Sequence, residues 1–521
     1  MKILHTSDWH IGRRFKGLDL ADYQRRALDW LVGLVRRERV DVVCVSGDVY
    51  DSPMPSAASV DLLDDVLTRL TGIVDDDGRP AVDVIVTPGN HDSARKLGFG
   101  ARMMRPNLHL RCAIEDLATP VIVRRGGGAG DGVGTDAGVD DAGGVGVGDG
   151  VGTGDGVIGA GETVAVYALP YLDPDVARPV LERMLGESEG ADSGEGAGSG
   201  GEAGFGEGTA ESIPRSHEGV MTAAMRMIRK DLARRRETDP AMTAVLMAHA
   251  FVTGAAPTDS ERNIAVGGVD SVPAAVFAGA GLDYLALGHL HRPQAVTVPA
   301  QMVSVPGGNV VPGGAIPVDD ADNGVGVGAH GETLARYSGS LLAYSFSEAC
   351  RPPKVGNGKS VVLIETGGDG CVRADTVRVI PVESGEPALV KLRGSMAELT
   401  GPLAAGHAHD WVSLTVTEPE YPHGMYARLD ECYASALEKQ FEPIRRAGAR
   451  LLGDAAGGTG VDGTGADGMG ADGVAAMANL RQSHSEFDVV KSFVRYTLGR
   501  DPDEAETDVL QEAIERARQE D

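Results

Sequence analysis

Residues 40–48 read Val-Asp-Val-Val-Cys-Val-Ser-Gly-Asp. Five of the first seven are apolar, and the run is too short for a helix. It therefore predicts a strand buried on both faces, closed by a Gly-Asp turn. The same pattern lies on either side. Residues 2–6 form a short strand running into Asp8-Trp9-His10, and residues 82–87 (VDVIVT) run into Gly89-Asn90-His91-Asp92. Further strand candidates are 164–169, 244–248, which ends at His249, and 284–287, which ends at Gly288-His289-Leu290-His291. Helices are predicted over 21–37, where Tyr23, Ala27, Leu31, Leu34 and Val35 recur at helical spacing, and over 60–70 and 221–236. Buried strands alternating with helices indicate a layered α/β fold.

The composition agrees only once it is divided. The chain has 521 residues, enough for two or three domains, a net charge of -28, and 73 glycines. Four stretches, 126–161, 186–213, 307–332 and 453–476, hold 44 of those glycines and 21 acidic residues without one Lys or Arg. Segments of this kind bury too little surface to offset chain entropy and are expected to be disordered loops or linkers. A calcium-binding repeat is excluded because no nine-residue period is kept. The remaining 407 residues carry only -7, so the acidity does not argue against a nucleic-acid partner. Five scattered cysteines, without CxxC spacing, fit core thiols in a reducing compartment. No signal peptide and no run of about 18 apolar residues is present, so a soluble cytoplasmic protein is expected.

Chemistry concentrates at the strand ends. Sites in open α/β sheets form at the carboxyl ends of strands, and five such ends deliver Asp8, His10, Asp48, Asn90, His91, Asp92, His249, His289 and His291. Oxygen from Asp and Asn with imidazole nitrogen suits Mn, Fe or Zn. The donors are too many for one ion, whereas two ions sharing a carboxylate would use them, with Asp48 as the natural bridge.

The order D-x-H, GD, GNHD, H, GHxH resembles the calcineurin-like metallophosphoesterase superfamily. Three further stretches resemble its SbcD-type nuclease branch: Asp8-Trp9-His10-Ile11-Gly12; Ser260-Glu261-Arg262 through Gly267-Gly268 to residues 286–294 (ALGHLHRPQ); and Tyr337-Ser-Gly-Ser340 followed by Phe346-Ser-x-Glu348. The resemblance implies a β-sandwich flanked by helices over 1–345 and a small α+β capping domain over 350–450. It assigns Asp8, His10 and His291 to one metal, Asn90, His249 and His289 to the other, Asp48 as the bridge, and His91 as an unbound catalytic histidine. It also implies a pair of divalent ions, Mn2+ above all, and 3′-to-5′ duplex exonuclease and single-strand or hairpin endonuclease activity. The implied setting is a homodimer within a heterotetramer built with an SbcC-type coiled-coil ATPase.

Around this set, Asp51 is placed either to orient His91 or to cap the segment that follows, and Asp92 either to orient His91 or to tie down its loop. Arg13, Arg14, Lys16, Arg95, Lys96 and Arg292 follow the ligands directly and are candidates to line a path for the DNA backbone. Residues 360–365, 372–380 and 411–416 read as strands of the second domain, and 425–439 as its helix. Beyond the linker 453–476, residues 480–521 hold two predicted helices. Phe487, Val490, Phe493, Val494 and Leu498 share one face, suited to a groove on the ATPase partner. The chain has no GxxxxGK[ST], so nucleotide hydrolysis falls to that partner. Competing readings are a small-molecule phosphodiesterase or phosphatase on the same metal core, and a non-catalytic scaffold. The second is disfavoured because no ligand is missing.

Overall fold

The computed structural model describes residues 1–126, 161–192, 212–261, 271–299, 302–304, 310–312, 333–350, 352, 354–444, 502–503, 506–507 and 509–510. Its elements, in chain order, begin with β1 (Lys2–Thr6), α1 (Ala21–Glu38), β2 (Val42–Ser46), α2 (Ala57–Thr71), β3 (Asp83–Thr87), β4 (Leu108–Leu110), β5 (Val121–Arg125) and β6 (Glu162–Ala168). There follow α3 (Pro174–Asp192), α4 (His217–Thr238), β7 (Thr243–His249), β8 (Tyr284–Gly288), β9 (Gln294–Thr297), β10 (Leu334–Tyr337), β11 (Ser360–Glu365) and β12 (Val377–Pro381). The first sheet has the order β12-β11-β1-β2-β3-β4 and the second β9-β10-β8-β7-β6-β5. Strands β1 to β4 are parallel neighbours, as are β6, β7, β8 and β10, while β11 and β12 close the first sheet in antiparallel register.

The two sheets pack face to face. Ile3, Val42, Cys44 and Ile85 of the first meet Val164, Val166, Val245, Met247, Tyr284 and Ala286 of the second. All five residues of β2 are buried, which is why that segment carries no alternation. The outer face of the second sheet, with Leu246, Leu285 and Leu287, is covered by α3 and α4 through Leu181, Val220, Ala224 and Ile228. On the first sheet α1 and α2 pack against each other and α2 against β3. Burying one such aliphatic side chain contributes about 1.5–3 kcal/mol, so the sandwich core is a large source of stability. The α/β sandwich flanked by helices is the expected fold class. Among the described residues no helix is long and apolar enough to cross a membrane.

The chain divides into two compact units, Met1–Leu389 and Val390–Asp521. The domain boundary expected near 350 therefore moves. Residues 360–365 are continuously apolar because β11 is buried beside β1, so both β11 and β12 belong to the first unit. The strand expected over 372–380 starts only at Val377, because Arg373 and Thr376 close a turn in which the Arg373 N–H donates to Thr376 Oγ1 at 3.2 Å. The second unit holds a three-stranded sheet, β13 (Leu389–Gly394), β14 (Trp411–Glu418) and β15 (Ala436–Pro443), with helix α5 (Met425–Cys432). The helix expected over 425–439 stops early, since pairing of β15 with β14 and burial of Phe441 against that core outweigh helix propensity.

Two insertion boundaries also shift. Helix α3 continues through 186–192, and residues 310–312 pair with 302–304. The segments 127–160, 193–211, 313–332 and 445–501, including Phe487, Val490, Phe493, Val494 and Leu498, lie outside the described residues.

One consequence of close sheet packing can be measured. A Cβ on Gly288 would collide with the Ser46 carbonyl oxygen and lie 2.8 Å from His249 Nδ1. Gly186, exposed on α3, has open space around it. Thermal unfolding should find Gly288→Ala destabilised by about 1–3 kcal/mol and Gly186→Ala stabilised by about 0.5–1 kcal/mol. Equal effects would contradict the packing described.

Candidate metal centre

The carboxyl ends of β1, β2, β7 and β8 open on one edge, and the loops that leave them are zipped together. Asp8 N–H donates to the Gly47 carbonyl at 3.1 Å, His10 N–H to the Asp48 carbonyl at 2.9 Å, and Ile11 N–H to the Val49 carbonyl at 2.9 Å. Asp92 holds the loop after β3 to the loop after β2. Its carboxylate accepts from Val49 N–H, Tyr50 N–H and Gly89 N–H at 2.9–3.0 Å. Of the two roles open to Asp92, the structure supports the loop tie. Four site residues sit at positive φ: Asp8 (52°), His10 (43°), Asp48 (49°) and His289 (102°). Each costs about 1–3 kcal/mol. The surrounding bonds hold this strain at the positions where the ligands must be aimed.

The expected ligands come together in two groups about one carboxylate. Asp48 Oδ2 lies 3.5 Å from His10 Nε2 and 3.4 Å from His249 Nε2. Asp8, His10 and His291 offer donor atoms that all lie within 4.8 Å of one another, as do Asp8, Asp48 and His249. On the other side, Asn90 Oδ1 is 2.9 Å from His249 Nε2 and 3.1 Å from His289 Nδ1.

Second partners decide which ring nitrogens are free. His249 Nδ1 is 3.0 Å from the Ser46 carbonyl, which can only accept, so its Nε2 is the nitrogen left to face Asn90. His10 Nδ1 lies 3.3 Å from the Asp51 carboxylate. His291 Nδ1 is 2.6 Å from Ser260 Oγ, whose own proton goes to Glu348 Oε1 at 2.7 Å. His10 Nε2 and His291 Nε2 then face each other at 2.9 Å with lone pairs toward one point. Opposed lone pairs repel unless a cation sits between them. The donor set fits divalent metal at both groups.

Electrostatics point the same way. Burial keeps three of the imidazoles neutral: His10 is pushed down to about 4, His289 to about 3, and His291 well below its ordinary value. Neutral imidazole is the metal-binding form. Burial, with Asp48 nearby, pushes the Asp8 carboxyl up to about 7. Burial also opposes charge on His249 and Asp48. Their mutual attraction outweighs it, raising His249 to about 9 and holding Asp48 well below the usual carboxylate range. The pocket favours positive charge beside Asp48.

His91 also offers a donor atom within 4.8 Å of donors on His10 and Asp48, a third such group beside the two above. Its N–H donates to Asp48 Oδ1 at 2.8 Å, and its Nδ1 lies 2.9 Å from the Asp51 carbonyl oxygen. The Asp51 carboxylate, expected to orient His91, is 3.9 Å from that Nδ1 and instead engages His10 and Arg13. The nearer contact of Asp51 with His91 is made by its backbone carbonyl. Arg13 is also turned inward, with Nη2 donating to the Ser260 carbonyl at 2.7 Å and its guanidinium 4.7 Å from the Tyr344 ring centroid. Arg14, Lys96 and Arg292 each donate to a backbone carbonyl, those of Gly17, Pro53 and Ser347. Arg95 is exposed, as is Lys16.

The residues supporting His291 have no role that the sequence alone assigns. Ser260 and Glu348 stand out there only as parts of a motif, and Lys359 gives no signal at all. Lys359 Nζ is ion-paired with Glu348, and both side chains are 2% exposed or less. It also donates to the His291 carbonyl at 2.8 Å and Ser340 Oγ at 2.9 Å. Glu261 Oε1 accepts from His291 N–H at 2.8 Å.

The family model for calcineurin-like phosphoesterases matches residues 1–149. The chain carries a calcineurin-like phosphoesterase domain. Metal-binding belongs to this domain, and the Asp/His groups supply a possible site for it. By sequence the chain is 29% identical over 366 residues to SbcD, the D component of the SbcCD nuclease of Bacillus subtilis (strain 168), covering 70% of this chain and 66% of that protein. It thus spans just under two thirds of the curated relative's length. Among solved structures, GAP50, the anchor in the inner membrane complex of Plasmodium, aligns over 73% of this chain and 89% of that one. Identity there is 9% and the TM-score 0.33, too slight a likeness to argue from.

The phosphoesterase site makes a prediction about its support. Ser260→Ala or Glu348→Gln should weaken Mn2+ binding about 10- to 100-fold in calorimetry, the usual cost of losing a hydrogen-bond partner behind a ligand. Unchanged affinity in both variants would show that the chain behind His291 does not position it.

Proposed function

We propose that this chain is a metal-dependent DNA nuclease subunit that acts with an SbcC-type coiled-coil ATPase. The observation that carries the reading is the position of Asp48 Oδ2, between His10 of one ligand group and His249 of the other. A shared carboxylate of this kind is what two-ion phosphodiester hydrolysis needs. Similarity to a component of the SbcCD nuclease supports DNA as the substrate class.

When bound, a pair of divalent cations, Mn2+ in this reading, neutralises charge on the scissile phosphate and lowers the pKa of a bound water. Asp8, His10 and His291 would hold one of them, Asn90, His249 and His289 the other, and Asp48 would be shared. The Asp51 carbonyl accepts a hydrogen bond from His91 Nδ1–H and so fixes the ring. As an imidazolium, His91 would donate its Nε2 proton to the departing sugar 3′-oxygen as general acid. Arg13 and Asp51 brace His10. Arg14, Lys16, Arg95, Lys96 and Arg292 contact phosphates, and without an aromatic-interleaved basic strip the recognition is independent of base sequence.

The finer reading is an ATP-dependent 3′-to-5′ duplex exonuclease and single-strand or hairpin endonuclease in DNA repair, recombination and replication. It places the chain in the cytoplasm as a homodimer within a heterotetramer, docked through Phe487, Val490, Phe493, Val494 and Leu498. ATP is consumed by the partner.

The experiment is Mn2+-dependent cleavage of linear duplex DNA, with and without the partner ATPase and ATP. His91→Ala should lower cleavage about 100-fold or more while calorimetry still finds the metal bound. Retained cleavage would remove His91 from the acid role.

A further inference from the structure

A cavity of about 660 Å³ opens beside the metal ligands, with Gly89 and Asn90 in its wall. That volume lies in the range of small-molecule sites. Its other walls are largely apolar and include Ile114, Pro170, Tyr171 and Val176. Cys112 also lines it, and burial holds that thiol protonated by pushing its pKa up to about 12. Of the acidic residues of the wall, Asp92 accepts three backbone N–H groups, and Asp173 accepts from Asp175 N–H at 2.8 Å. Arg95 is the cationic side chain of the lining, exposed and in no ion pair among the described residues.

Tyr171 is held in place from two directions. Its N–H donates to the Pro88 carbonyl at 2.9 Å, next to the loop that carries Asn90. Its ring stands edge-on to the His249 imidazole, 6.3 Å between centroids at 82°, and 5.8 Å from that of His217. A fixed aromatic ring beside a metal ligand, an apolar wall and one unpaired cation match a nucleoside with its neighbouring phosphate. Bases stack on aromatic side chains whatever their identity.

We propose that this cavity is the subsite for the nucleoside attached to the scissile phosphate, with Tyr171 against the base and Arg95 toward the adjoining phosphate. The proposal rests on the hydrolase reading given above. It assigns substrate recognition to a wall of the cavity that supplies no metal ligand.

The test compares two diesters on the full chain loaded with Mn2+: thymidine 5′-(p-nitrophenyl phosphate) and methyl p-nitrophenyl phosphate. In both, water adds to phosphorus, the bond to the aryl oxygen breaks and p-nitrophenolate leaves, so only the nucleoside differs. The wild-type chain should favour the thymidine ester in kcat/KM. Tyr171→Ala should narrow that ratio about tenfold, equivalent to about 1.4 kcal/mol, and Tyr171→Phe should keep it. Using a ratio cancels any general loss of folded or metal-loaded protein. Hydrolysis of both esters without a preference, or a ratio unmoved by Tyr171→Ala, would overturn the subsite alone. Hydrolysis of neither ester would overturn the hydrolase reading and the subsite with it.

Discussion

The site depends on one buried carboxylate that requires positive charge beside it. Asp48 is 1% exposed, at the end of a strand buried along its whole length. An isolated carboxylate taken out of water costs several kcal/mol unless it is paired. Without metal, His249 supplies the charge and its pKa rises accordingly. Asp48 Oδ2 faces His10 on one side and His249 on the other. Asp8, equally buried, adds to the demand.

Neither sheet could meet that demand alone. The first provides Asp8, His10, Asp48 and Asn90, and the second provides His249, His289 and His291. Face-to-face packing brings the strand ends together, and a glycine at 288 permits the contact with the Ser46 carbonyl. Hydrogen bonds behind the ligands then choose the nitrogen that faces inward: the Ser46 carbonyl for His249, Asp51 for His10, and Ser260 with Glu348 and Lys359 for His291. Fold and site share one cause, the convergence of strand ends from two layers.

That convergence was legible in the sequence because buried parallel strands leave a distinct apolar run, and the residue after each run must lie at the same edge. All the anticipated ligands meet there. What stayed hidden was pairing across long separations. Lys359 reads as an ordinary charged residue ahead of a strand, and only the antiparallel seating of β11 beside β1 brings it under His291. Arg13 reads as a DNA contact, yet the Ser260 carbonyl and Tyr344 ring turn it inward. Residues 436–443 have no strong strand pattern of their own, and β14 recruits them. The net charge was the least informative signal, since 21 of its carboxylates lie in glycine-rich stretches away from the ligands in sequence.

The most direct test is the metal stoichiometry of the full chain, measured by Mn2+ titration calorimetry and anomalous diffraction. A shared Asp48 predicts two ions per chain about 3.5–4 Å apart, both contacting that carboxylate. A single ion, or two ions with Asp48 bound to neither or to one alone, would contradict the account.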